Sequence, residues 1–517
     1  MKDPLQPVDL RQNVRRGLAH ICASVDRQRD CRPYFRFNLK EPPVWAQHEA
    51  ADTPHTVGRF LHALDVCAEI TDLPDDPELL SGLRAQLFAS CDHGDGFGWD
   101  DVGDPPLAYM HHQREVLLGL LALWRFDHDP RAKRYAQALV TAMEQATRVV
   151  GTYPGRRLGP EGWQEPDHTP PSTAGRAISA LLAYTRAFDD PLGRELAERF
   201  ARHVLAVSFD GHGALTAAAG AHIHSITGTV ASLVELGLVT GQRDLVERAR
   251  AIFDVGLSPY CTRTGWVKES ATATYGRGEA NCTADMIEAA CLLGSAGYSS
   301  YYEDAERMLR NHLLASQLDD LSWVVENTGR ANTVQRAYEG LRRRARGAFC
   351  FGEPNGFHSY NSDLTGAALQ GIAAAWRHIV TLQDDRRLRV NLLLSHEHAA
   401  ARIISHLPQA GSVVVETKRA LELYIRIPPW CERQSLAVTV NGHAAGVALA
   451  DDDYLTVGSL AAGSRVEVTF AQPVFVTQER ALGYTQPYRV RWIGNTVAAM
   501  SGAGGPMPLY PPLDPAE

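Results

Sequence analysis

The 517-residue chain has no Cys-x-x-Cys pair, no GxxxxGK[ST] phosphate loop and no convincing GxGxxG turn after a strand. Nor does any segment reach 18 uninterrupted apolar residues. These absences argue against zinc ribbons, thioredoxin-like redox sites, P-loop enzymes and membrane spans. The nine cysteines are scattered and odd in number, which fits reduced thiols better than a disulfide framework. Positive charge is also short: 51 Lys and Arg face 60 Asp and Glu, a net charge of −9. Nucleic acid and anionic membranes are therefore not expected partners. The opening stretch MKDPLQPVDLRQNVRRG lacks the apolar core of a signal peptide, so a cytoplasmic location is expected.

Helical spacing of apolar residues dominates instead, from near the start to about residue 380. A first segment covers about 9–24. Pairs follow at 53–71 with 76–90, 112–126 with 129–147, 172–187 with 190–207, 222–240 with 242–258, and 281–296 with 299–316, before a last segment at about 361–380. Links within a pair are short, as between antiparallel neighbours. Links between pairs are long and rich in Gly, Trp, His and acids. This alternation predicts a mainly α protein: an (α/α)6 barrel over 1–380 whose long loops gather at one end, with the first and last helices closing the ring. From about 385 short Val-, Ile- and Tyr-rich runs separated by turns predict an antiparallel β-sandwich domain over 385–500. The Pro-rich tail, 501–517, is expected to be irregular.

The long loops hold the candidate chemistry. In GRGEANCTADMIEAACLLG, 276–294, Asn281 is read as the helix N-cap. Cys282 then falls in the first turn, where the helix dipole favours a thiolate, with Glu279 before it and Asp285 after it. Trp163 and Glu165 form a mixture suited to a sugar: an aromatic face for its C–H side and an acid for its hydroxyls. His222 and His224 open a helix. Glu269 and Tyr275 precede Cys282, and Cys350, Glu353, Asn355, His358 and Tyr360 precede the last helix. Carboxylates gathered in a funnel suggest glycoside hydrolysis, with one acid held protonated and a second group opposite it.

The stretch LELYIRIPPWCERQSLAVTVNGH…DDYLTVGSLAAGSRVEVTF, 421–470, resembles the β-domain of the β-L-arabinofuranosidase family, glycoside hydrolase family 127 and its relatives. GAHIHSITGTVASLVELGLVTGQRDLVERA, 220–249, is similar to that family's His-containing helix. The segment 281–320 is similar to its Glu-Thr-Cys hairpin, and 353–379 to the segment after its Cys-Cys-Pro-Pro-Asn motif. The resemblance implies an (α/α)6 barrel with β-sandwich material, zinc on one Glu and three Cys, a cysteine nucleophile and a separate Glu as acid/base. Here Cys282 matches one cysteine, but Ala280 stands at the Glu position. Phe351 and Gly352 stand where the Cys pair would be. No cofactor is therefore expected, and the zinc alternative is the set Glu279, Cys282, Cys350 and Glu353.

The expected function is a glycoside hydrolase acting on a small glycan or sugar conjugate, with an L-arabinofuranoside as one candidate. Glu269 is assigned as acid and Glu353 as nucleophile or base, with Glu279 able to replace either. His222, His224, Trp163, Glu165, His358, Tyr275, Cys282 and Asn355 are the expected substrate contacts. A homodimer stays open. The alternatives are a carbohydrate lyase or epimerase using Tyr275 or Tyr360, and an inactive sugar-binding protein.

Overall fold

A computed structural model describes residues 5–49, 51–100, 106–150, 157–159, 162–163, 169–272, 277–327, 329–353, 355–446, 448–449, 453–480, 486–502 and 507–514. Its helices in chain order are α1 (Leu10–Ala23), α2 (Val57–Cys67), α3 (Pro77–Cys91), α4 (Gln113–Asp127), α5 (Pro130–Val150), α6 (Arg176–Phe188), α7 (Pro191–Ser208), α8 (Ile223–Thr240), α9 (Arg243–Ala251), α10 (Ala280–Ser295), α11 (Tyr301–Met308), the short α12 (Leu341–Ala345) and α13 (Asp363–His378).

Packing closes these helices into a ring. Helix α2 packs on α4, α4 on α6, α6 on α8, α8 on α10, α10 on α13, and α13 back on α2. Each inner helix carries an outer partner: α3 on α2, α5 on α4, α7 on α6, α9 on α8, α11 on α10, and α1 on α13. The composition of the helices explains the two layers. Inner α8 is apolar on nearly all sides and mostly buried, whereas outer α9 buries only Leu245, Val246 and Ala249. Start signals are equally local: Asp76 and Asp190 cap α3 and α7 through their side chains, each followed by Pro in the first turn.

Strands follow the barrel. One sheet orders Val380–Gln383, Arg387–Val390, Leu421–Arg426, Tyr454–Leu460 and Ala448–Leu449; a second contains Ala401–Ser405, Ser412–Thr417, Arg465–Thr469 and Ala437–Val440. Pairing is antiparallel except between Arg387–Val390 and Leu421–Arg426. The fold is an (α/α)6 barrel followed by an antiparallel β-sandwich. Buried Arg426 joins the two parts, with Nη1 3.0 Å from Glu303 and Nη2 2.8 Å from Glu306 of α11.

Two features depart from the expectation, and the described part of the irregular tail is anchored. The barrel's long links carry a six-stranded sheet ordered Gly278–Glu279, Phe351–Glu353, Gly356–Asn361, Arg36–Asn38, Trp45–Gln47 and Arg336–Ala337. Its strands are too short to show a period of two in the sequence. Gly278 and Gly352 are required in it because Trp266 lies over both: a Cβ would meet its ring at 2.2 and 2.1 Å. A further three-stranded sheet, Val474–Met500, and the described part of the tail pack on the barrel, burying Leu509, Tyr510 and Leu513. The tail is thus anchored, because its apolar side chains complete a core with Trp266 and Trp492.

Candidate active site

All six inner helices point their N-terminal ends at one place. Residues there are His55 and Arg59 at α2, His111, His112, Arg114 and Glu115 at α4, Arg176 at α6, His222 and His224 at α8, Glu279, Asn281, Cys282 and Asp285 at α10, and Asp363 at α13. His55 sits in a π-helical turn, Asp52–Thr56, that delivers the chain into α2. The imidazoles form a chain across neighbouring helices, with ring centres 4.6 Å apart for His55 and His112, 5.6 Å for His111 and His222, and 5.7 Å for His222 and His224.

Glu115, fully buried, is the centre of the charge network. Its Oε1 lies 2.5 Å from Arg176, 2.9 Å from Arg114 and 3.4 Å from Arg59, and its Oε2 lies 3.5 Å from His55. Burial alone would raise its pKa, but Arg176, His55 and Arg59 hold it well below the usual carboxylate value. His55 reaches the other way, with Nε2 3.7 Å from Asp363 Oδ2.

The backbone explains how Glu269 and Glu279 come together. Glu269 N donates to Arg277 O and Glu279 N to Val267 O, which pairs 266–270 with 277–279. Ile223 N donates to Glu269 O, tying the start of α8 to the same ladder. Phe351 pairs with Glu279 on the other side. Glu279 itself is the last extended residue before α10, so it occupies the N-cap position and Asn281 lies inside the first turn. The reading of Asn281 as N-cap is corrected, because the strand runs directly into the helix.

Asn281 instead joins two carboxyls. Its Nδ2 donates to Glu279 Oε1 at 3.1 Å and to Asp363 Oδ2 at 3.4 Å. Because both accept from one nitrogen, the two acceptor atoms stand less than about 6.5 Å apart. The surroundings push the two acids in opposite directions. Burial pushes Glu279 up to about 8, helped by the charges of Glu269 and Asp363. Burial would raise Asp363 as well, but His55, Arg59 and Asn281 outweigh it and lower its pKa. Asp285, pushed up to about 6 by burial, accepts from Thr227 Oγ1 at 2.9 Å and lies 3.4 Å from His224 Nε2.

Other sequence candidates fall differently. Glu269 is ion-paired with Arg277. Cys282 is fully buried, and its Sγ donates to Glu279 Oε2 at 3.3 Å. Burial, then Glu279 and Asp285, push its pKa well up, so the expected thiolate is corrected to a thiol. Asn355 is corrected from a substrate contact to an anchor: it is buried, accepts from Tyr510 N at 2.9 Å and donates to Met500 O at 3.3 Å. Tyr360 is buried in a core, stacked on Phe37. His358 lies two strands from Glu279 with Nδ1 3.0 Å from Ser359 Oγ. Glu165 and Tyr275 lie outside the described residues, as do the side chains of Trp163 and Glu353.

The sequence reading named none of His55, Arg59, His111, Glu115, Arg176 or Asp363. Their common signal is position: each stands at the start of the inner member of a helix pair.

No curated protein matches the sequence. Residues 396–472 match the family model described as beta-L-arabinofuranosidase, GH127 middle domain. The stretch 421–470 that carries the sequence resemblance falls inside this span. Among solved structures, a GH127 beta-L-arabinofuranosidase from Geobacillus stearothermophilus T6 is similar with a TM-score of 0.59 at 15% identity, covering 94% of this chain and 80% of that one. A second GH127 beta-arabinofuranosidase gives 0.61 at 15% identity, covering 94% and 78%. A protein described as a glycoside hydrolase gives 0.56 at 14% identity, covering 92% and 84%. At these identities the likeness is one of fold.

The zinc set implied by the GH127 resemblance does not assemble among the described residues. Glu279 and Cys282 touch, but Cys350 is buried in a different core with Phe351, Phe357 and Tyr360. The His, Cys, Asp and Glu side chains close enough to share an ion are, among the described residues, His222, His224 and Glu279. Of the alternative set Glu279, Cys282, Cys350 and Glu353, the first three therefore do not gather around one ion, and the side chain of Glu353 lies outside the described residues.

Proposed function

We propose that this protein is a glycoside hydrolase in which Glu279 donates a proton and Asp363 is the opposing carboxylate. The observation that carries this reading is the pair itself: two acids held by one Asn281 amide, in surroundings that raise the pKa of Glu279 and lower that of Asp363. Environments that separate the states of two neighbouring acids are what acid-assisted displacement at a sugar carbon needs. Glu269, assigned from sequence as the acid, is engaged by Arg277, and the role passes to Glu279, which the sequence offered as a substitute.

The spacing supports a retaining course. Retaining pairs stand about 5–5.5 Å apart, and inverting pairs about 6.5–9.5 Å to admit a water. Asp363 attacks the anomeric carbon as Glu279 passes its proton to the departing oxygen. A water then gives its proton to Glu279 and its oxygen to the sugar, releasing Asp363.

Unpartnered polar atoms favour a polyhydroxylated ligand. Among the described residues, Arg59 Nε, Asn281 Oδ1 and Asp363 Oδ1 are buried without hydrogen-bond partners. A sugar offers hydroxyls that serve as donor and acceptor alike. Arg59, Arg114 and Arg176 face Glu115, and Arg277 faces Glu269, so these four arginines already have carboxylate partners. That balance favours an uncharged sugar, and the family match makes L-arabinofuranosides the first to try.

The test uses a panel of nitrophenyl glycosides. The native protein is expected to release nitrophenol without an unsaturated product. Asp363→Ala is expected to lose that activity and to regain part of it with azide, yielding a glycosyl azide of inverted configuration, because azide then makes the single displacement. Full activity in Asp363→Ala, or an unsaturated product from the native protein, would overturn the reading.

A further inference from the structure

We propose that His222, His224 and Glu279 form a binding site for a divalent transition-metal ion of the Zn2+ type, and that an ion held there silences the hydrolytic site. One donor atom from each of the three lies within 4.8 Å of the other two. Zinc holds imidazole nitrogen and carboxylate oxygen at about 2.0–2.2 Å, so each donor needs to shift by less than about 1 Å. Two His with one carboxylate is a donor set for zinc with an open position, not for calcium or magnesium, which take oxygen ligands.

The supports are already in place. His222 Nδ1 lies 2.7 Å from Ser225 Oγ, and His224 Nε2 lies 3.4 Å from Asp285, which Thr227 holds. Glu279 Oε1 is oriented by Asn281. Partners of this kind, one per ligand, fix the direction in which metal-bound side chains point. The backbone supplies a second reason for the convergence. His222 bridges Ser270, and the strand through Ser270 is paired with the one that ends in Glu279. His222 and Glu279 thus sit on adjoining strands of one ladder, and His224 lies in the first turn of α8. The set contains no sulfur, which separates it from the Glu and three Cys implied by the family resemblance.

Inhibition rests on the hydrolase reading above, because an ion on Glu279 removes that carboxyl from the substrate. Binding does not rest on it. The experiment titrates ZnCl2 into chelator-treated full-length protein by calorimetry, with X-ray absorption on the loaded sample. One equivalent is expected to bind through nitrogen and oxygen, with at least about tenfold weakening in His222→Ala and in His224→Ala. His222 is exposed, so its replacement tests ligation without disturbing the core. Asp363→Ala is expected to keep the ion, and in the native protein one equivalent is expected to stop turnover, with recovery on adding EDTA.

Failure of Zn2+ to bind, binding unchanged in both His variants, or a sulfur ligand would overturn the site. Stoichiometric binding lost in the His variants, in a protein that hydrolyses no glycoside, would sustain the site and overturn the hydrolase reading. Turnover untouched while one equivalent of Zn2+ is bound would leave the hydrolase reading standing and overturn the silencing.

Discussion

Glu279→Gln is expected to lower kcat/KM on an alkyl glycoside by about 10²–10⁴-fold, the range typical of a lost general acid. The loss should shrink on nitrophenyl substrates, whose leaving groups need less protonation. The pH profile sharpens the prediction. Glu279 is pushed up to about 8, chiefly by burial and then by Glu269 and Asp363, so it keeps its proton at neutral pH. Native activity, measured with a chelator present, should fall as pH rises through about 8, and Gln should abolish that limb. Stability moves in the same direction. A carboxyl whose pKa is raised on folding contributes fully below its ordinary value near 4.5 and loses that contribution as pH rises through the folded value. The native protein should therefore lose stability across this interval, and Glu279→Gln should lose less. Urea unfolding at pH 5 and pH 8.5 reads the difference. Equal slopes in the two proteins would contradict the placement of the proton.

Glu115→Gln is expected to destabilise the fold by about 3–5 kcal/mol, the usual cost of leaving a buried charge unpaired. Glu115 is the anion shared by Arg59, Arg114 and Arg176 near the barrel axis. Gln fills the same volume but leaves three guanidinium groups without their counter-ion. Its effect should reach Asp363 too, because His55 lies between Glu115 and Asp363. Denaturant unfolding measures the first effect. The second appears as a shift in the acid limb of the pH–activity profile of the residual folded enzyme. A loss of stability under about 1 kcal/mol would contradict the role of Glu115 as the central anion.

The ring of helices was legible because each helix advertises itself locally. Asp76-Pro77 and Asp190-Pro191 start helices, and the alternation of short and long links gives the pairing. His222, His224, Glu269 and Glu279 stood out because they lie in polar stretches next to helix starts. His55, Arg59, Glu115, Arg176 and Asp363 did not, for a physical reason. A buried Glu115 is tolerable only beside arginines, and those of α2 and α6 lie far from it in the chain. Sequence shows the charge and hides its counter-ions, so Glu115 reads as a surface acid. Asn355 failed in the opposite sense: an Asn in a loop before an inner helix looks like a sugar contact, yet its partners, Tyr510 and Met500, come from the C-terminal end. Cys282 stands where the dipole of α10 would favour a thiolate, but burial beside Glu279 and Asp285 outweighs the dipole.

The most direct test is carboxyl 13C NMR of Glu-labelled, chelator-treated protein, followed from pH 4 to pH 10 in the native chain and in Glu279→Gln. The expected result is a glutamate resonance that titrates near pH 8 and vanishes in the variant. A native spectrum in which Glu279 ionises with the exposed glutamates near pH 4.5 would contradict the proposed division of labour with Asp363.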